Sequence, residues 1–168
     1  MRELGQRLAG LLRPGDLVVL SGGLGAGKTT LTQGIGAGLG VRGPVTSPTF
    51  VIARLHPSLS GGPDLVHADA YRLGSRAEVD DLDLDTDIDS SVTVVEWGEG
   101  LVEDLAPGFL HVAIATGPGT GTGPGAAAAG SGDSADEART VRIIGWGERW
   151  RQAADAASRV LGRPPEGS

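Results

Sequence analysis

The sequence predicts an α/β fold built around a mostly parallel central sheet, and three observations carry that prediction. The continuously apolar run Leu17–Leu20 and the valine-rich Val92–Val95, interrupted only by Thr93, read as buried strands. Stretches of helical spacing alternate with these runs along the chain. A glycine-rich turn joins the first such strand to the helix that follows it. With 168 residues the chain suffices for one core and is short for two, so a single domain spanning 1–168 is expected.

The elements follow in order. Leu4, Leu8, Leu11 and Leu12 fall at helical spacing and predict a short amphipathic helix over 3–12, broken by Pro14-Gly15-Asp16. Leu17–Leu20 is the first strand, the glycine loop follows, and Lys28 to about Leu39 reads as a helix. That helix contains Gly34, Gly36 and Gly38, each costing about 1 kcal/mol relative to alanine at an exposed helical position. Close packing of the helix on the sheet is one way to compensate that cost, which the sequence alone does not select. Phe50–Leu55 and Leu65–Ala68 read as the next strands, Arg76–Leu82 as a short helix, and Asp80–Asp89 as a solvated acidic run lacking calcium-loop spacing. Val92–Glu96 is a further buried strand ending in an acid. Leu110–Ala115 and Thr140–Ile144 are β-like and flank a Gly/Pro/Ala tract at about 117–135, whose composition predicts a flexible insertion. Glu148–Leu161 reads as a closing helix.

Composition excludes several classes. The net charge of −7 gives little counterion release on a polyphosphate, so the chain is not expected to grip nucleic acid unaided. The absence of cysteine rules out disulfides and thiolate metal sites. No apolar run approaches the ~20 residues that cross a bilayer. The start, MRELGQRLAGLLRPGD, is charged throughout, so a cytoplasmic protein is expected. Thirteen of the fourteen basic residues are arginine, and the one lysine is Lys28.

That lysine lies in Gly22-Gly23-Leu24-Gly25-Ala26-Gly27-Lys28-Thr29, which fits G-x-x-x-x-G-K-[ST] between a strand and a helix, the context the motif requires. Glycines let backbone N–H groups turn inward onto phosphate oxygens without an intervening Cβ, and the helix N-terminus adds partial positive charge. Lys28 then reaches the β- and γ-phosphates, and the Thr29 hydroxyl is placed for Mg²⁺. The fold expected is therefore a three-layer sandwich like that of P-loop NTPases.

A P-loop needs a second metal anchor at the end of a neighbouring strand, and Glu96 and Asp69 are the candidates. Asp69 reads either as a turn or cap residue or as the group that positions the metal water or the attacking water. His67 reads as a packed strand residue. Thr46-Ser47-Pro48-Thr49-Phe50 reads either as a Ser-Pro turn or as a loop whose hydroxyls reach the γ-phosphate. Trp97 reads as a neighbour of the nucleotide or as core. Arg139 is a weak candidate for a phosphate or ribose contact.

Four stretches, LGAGKTT at 24–30, TSPTF at 46–50, HADAYRL at 67–73 and VEWGE at 95–99, together resemble the TsaE (YjeE) family of bacterial ATPases. The resemblance runs from about residue 3 to residue 115, and more loosely through Arg139–Ile144. It implies an ATPase subunit in the synthesis of threonylcarbamoyladenosine at position 37 of tRNA, acting with TsaB-like and TsaD-like partners and reaching tRNA only through them. Carried across, it implies that Leu24, Gly25, Ala26, Gly27, Lys28, Thr29 and Thr30 bind the phosphates of ATP. Thr29 and Glu96 would hold Mg²⁺, Asp69 would serve hydrolysis, Thr46, Ser47 and Thr49 would form a switch-like loop, and Trp97 would lie beside the nucleotide. Gly23 stands where the family often carries an aspartate, which removes a polar contact and no phosphate ligand. The chain also starts close to its first helix, whereas part of the family's adenine pocket lies in a preceding segment.

A small-molecule P-loop kinase is the alternative, although no arginine for a lid lies between Glu96 and Arg139. A guanine-reading N-K-x-D motif is impossible in a chain with no asparagine and a single lysine.

Overall fold

Four parallel strands form the centre of one six-stranded sheet, and an antiparallel strand closes each edge. The computed structural model describes residues 1–48, 53–73, 75–80, 88–117 and 139–153. In chain order these form α1 (Arg2–Ala9), β1 (Leu17–Gly22), α2 (Lys28–Leu39), β2 (Ala53–His56), β3 (Asp64–Asp69), α3 (Arg76–Asp80), β4 (Ser91–Glu96), a 3₁₀ turn (Glu103–Leu105), β5 (Phe109–Thr116) and β6 (Arg139–Trp146). Residues 148–153 are helical. The spatial order is β2-β3-β4-β1-β5-β6. The expected insertion falls mostly on 118–138, and the end of the expected closing helix on 154–161, both outside the described residues.

The apolar runs sit where their pattern requires. β1 and β4 are central, and every residue of β4 is buried. Val18, Leu20, Val92 and Val94 face α1 and α2, whereas Leu17, Val19 and Val95 face Val79 of α3 and Val102. This alternation gives the layered α/β architecture, with the second face covered by short pieces. No helix among the described residues is long and apolar enough to cross a membrane.

The glycines of α2 are compensated mostly by close packing on α1 and only in part by packing toward the sheet. A Cβ at Gly34 would lie 2.1 Å from the Arg2 carbonyl oxygen, and one at Gly38 would lie 2.5 Å from Ala9 Cβ. On the facing helix, a Cβ at Gly5 would lie 2.3 Å from the Leu31 carbonyl oxygen. Gly34 and Gly38 therefore let α2 press backbone to backbone on α1, while Gly36 faces Val45, Val41 and Leu65 of β3. Sheet packing accounts for Gly36 at most.

Gly34→Ala is accordingly expected to destabilise the fold. The gain in helix propensity is about 1 kcal/mol, but a contact of 2.1 Å with backbone forces the helices apart, and overpacking of that kind costs about 1–3 kcal/mol. Urea unfolding should show a lowered midpoint. An unchanged or raised midpoint would mean that α1 moves aside freely.

Candidate functional site

β1 delivers the chain into the glycine loop, and α2 begins at Lys28. Gly25 and Gly27 have φ of 76° and 108°, left-handed values that favour glycine, so the loop can only be built with glycine-like residues there. The loop and the strand ends enclose a pocket of about 240 Å³ lined by Leu24, Gly25, Gly27, Lys28, Thr29, Thr30, Ser47, Asp69, Glu96 and Trp97. Ala26 is not among the lining residues, and its side chain is buried in the core.

Lys28 is itself nearly buried. Its Nζ donates to the Gly22 and Gly23 carbonyl oxygens at 2.8 and 2.9 Å and lies 3.7 Å from the centre of the Trp97 ring. Burial pushes its pKa below the ordinary 10.5, while the Glu96 and Asp69 carboxylates pull it back up. Trp97 is the only described non-glycine residue at positive φ, 61°, and its ring centre stands 5.1 Å from that of Tyr71. A tryptophan held in that region costs of order 1–3 kcal/mol and marks a constrained site. Trp97 lines the pocket and is only half-buried, with its face covered by the Lys28 ammonium.

The acids meet through sheet register. β3 and β4 run parallel with Asp69 paired to Glu96, so both stand at the carboxyl end of the sheet. The Thr29 hydroxyl donates to Glu96 Oε2 at 3.1 Å. A hydroxyl and a carboxylate in contact are hard oxygen donors of the kind that Mg²⁺ takes alongside substrate phosphates. No cluster of three or more acids or histidines able to hold a metal by themselves occurs among the described residues. Asp69 Oδ1 accepts from the Tyr71 amide at 2.9 Å, so its turn-capping role and its place in the pocket coexist.

The loop after α2 divides. Ser47 lines the pocket, whereas Thr46 accepts a hydrogen bond from Arg54 Nη1 at 3.1 Å and lines a neighbouring groove instead. Thr49 lies outside the described residues. Arg139 stands beside the loop, its Nε 3.9 Å from the position a Cβ on Gly27 would take.

Sequence reasoning missed one contact. His67, expected to be a packed strand residue, is fully buried as such, but its Nε2 also lies 2.8 Å from Glu96 Oε1. Its two-residue offset from Asp69 was a usable signal, because alternate strand residues share a face.

A strand, a glycine loop, a lysine at a helix start and paired acids at neighbouring strand ends define the P-loop class of nucleotide-binding proteins. A family model described as "Threonylcarbamoyl adenosine biosynthesis protein TsaE" matches residues 1–120. The protein named "tRNA threonylcarbamoyladenosine biosynthesis protein TsaE" in Streptomyces coelicolor is 60% identical over 154 residues, covering 91% of this chain and 95% of its own. Its namesake in Bacillus subtilis is 31% identical over 159 residues, covering 94% and 87%. The crystal structure of Bacillus subtilis YdiB superposes with a TM-score of 0.65 at 29% identity, over 94% of this chain and 86% of that one. The chain belongs to the TsaE family.

Proposed function

We propose that this chain is a cytoplasmic ATP-hydrolysing subunit for the threonylcarbamoyladenosine modification of tRNA, working with TsaB-like and TsaD-like partners. Family membership supports the pathway, and the names of its relatives state that biosynthesis. The observation that carries the enzymatic reading is the contact between the Thr29 hydroxyl and the Glu96 carboxylate, one residue from the phosphate-directed Lys28.

In this reading the loop amides from Leu24 to Thr30 bind the phosphates of ATP and Lys28 faces the β- and γ-oxygens. Thr29 and Glu96 would hold Mg²⁺, which when bound neutralises charge on the β- and γ-phosphates. Asp69 orients a water toward the γ-phosphorus. The new P–O bond forms as the bond to the β-phosphate oxygen breaks, and the protons of the water end on the phosphate oxygens, yielding ADP and dihydrogen phosphate. Ser47 closes on the γ-phosphate side, together with Thr46 and Thr49 if the loop reorders around the triphosphate. The acidic chain gains little from contact with tRNA itself, so the partners hold it.

The test is ATP turnover by the isolated chain, repeated with a TsaB–TsaD-like pair added. Slow hydrolysis alone, faster hydrolysis with the pair and nucleotide-dependent association are expected. Failure to associate in any nucleotide state would remove the partner assignment, and transfer of phosphate to a small acceptor faster than to water would favour a kinase.

A further inference from the structure

His67 carries more than core packing. It is fully buried on β3, where its register partner is Val94 of β4, and Glu96 is the next residue on the same face of that strand. Its Nε2 lies 2.8 Å from Glu96 Oε1, while Oε2 of the same carboxylate accepts the Thr29 hydroxyl at 3.1 Å. Its other ring nitrogen, Nδ1, is buried and has no hydrogen-bond partner.

Those facts select the tautomer. A neutral imidazole carries one proton. On Nδ1 that proton would be a buried donor without an acceptor, and the Nε2 lone pair would face the lone pairs of Oε1. Both are unfavourable. On Nε2 it makes a charge-assisted hydrogen bond to the carboxylate and leaves only a bare lone pair unpaired.

We infer that His67 is a positioning residue: its Nε2–H pins the inner oxygen of Glu96 and so turns the outer oxygen toward Thr29 for the metal. A glutamate side chain otherwise retains substantial rotamer freedom, which metal binding would have to remove. Groups that orient a metal ligand in this way typically govern affinity by about 10–100-fold. The inference rests on the proposed Mg²⁺–ATP site and names what holds its carboxylate in place.

Two measurements on the full chain test it. Histidine ¹⁵N spectra of the unliganded protein should show a proton on Nε2 of His67; an Nε2 without a proton overturns the inference, because it could not then donate. Calorimetric titration of ATP at graded Mg²⁺ should show half-saturation by the metal shifted at least about tenfold upward in His67→Leu, with metal-free ATP affinity unchanged. His67→Gln, which keeps a donor at a similar reach, should recover most of the loss. If the leucine variant does not fold, Gln against the shorter Asn gives the same comparison. Wild-type Mg²⁺ dependence that persists unaltered in His67→Leu, or in the short-reaching His67→Asn where the leucine variant does not fold, overturns this inference alone. A wild-type chain whose ATP binding ignores Mg²⁺ overturns it together with the proposed function. Equal weakening of metal-free binding in every variant would reduce His67 to a structural role.

Discussion

Lys28→Ala is expected to weaken ATP binding by about a hundredfold and to bring hydrolysis to background. A hydrogen bond to a charged group contributes about 1.5–3 kcal/mol, and a hundredfold sits near the upper end of that range. The upper end is appropriate because the ammonium is nearly buried and held between two loop carbonyls and the Trp97 face. Little side-chain entropy remains to be lost on binding. Lys28→Arg should rescue poorly, since a planar fork does not fit between the Gly22 and Gly23 carbonyls that cradle a point charge. Burial also sets a pH limit. With its pKa pushed below 10.5, Lys28 loses charge at a lower pH than an ordinary lysine, so ATP affinity should begin to fall correspondingly early in an alkaline titration. ATP affinity in Lys28→Ala equal to wild type would sink the phosphate-binding assignment.

How much of this was legible depended on whether a feature is local in sequence. The glycine loop is one contiguous stretch whose spacing already states its geometry, and the strands before and after it announce themselves by apolar runs. Glu96 and Asp69 were legible because each ends such a run, and parallel pairing of β3 with β4 then makes them neighbours. The His67–Glu96 hydrogen bond was legible only in part, since the His67–Asp69 spacing puts both on one strand face without saying which acid of another strand His67 meets. It spans 29 residues and depends on which strand lies beside which and on a register that places Val94, not Glu96, opposite His67. A one-residue slip would turn His67 to the other face. The interlock of α1 and α2 was hidden for a similar reason. Glycines in a helix state that something comes close without stating what, and the answer at Gly34 is the Arg2 carbonyl rather than the sheet. Trp97 was ambiguous because its place depends on a left-handed backbone turn at a residue type that rarely adopts one.

Glu96→Gln should change ATP handling in the opposite sense to Lys28→Ala when metal is absent, and in the same sense when it is present. Glu96 is nearly buried, and its carboxylate faces the pocket where phosphates are proposed to bind. Without Mg²⁺, that negative charge repels a polyphosphate, so neutralising it should raise metal-free ATP affinity. With Mg²⁺, the amide can still meet Thr29 but supplies no charge to the cation, and the enhancement of ATP binding by the metal should largely vanish. Hydrolysis should fall by about 10²–10³, the range for losing one electrostatic contact to developing charge. The amide keeps the volume of the side chain, and by rotating its oxygen inward it keeps an acceptor for His67. The thermal midpoint should therefore move little, which separates the effect from unfolding. The crossed signs of the two variants distinguish a bound cation from a mere electropositive pocket. If the site bound phosphate through Lys28 and the loop amides alone, Glu96→Gln would tighten ATP equally with and without Mg²⁺, and that result would remove Glu96 as a metal ligand while leaving the loop intact.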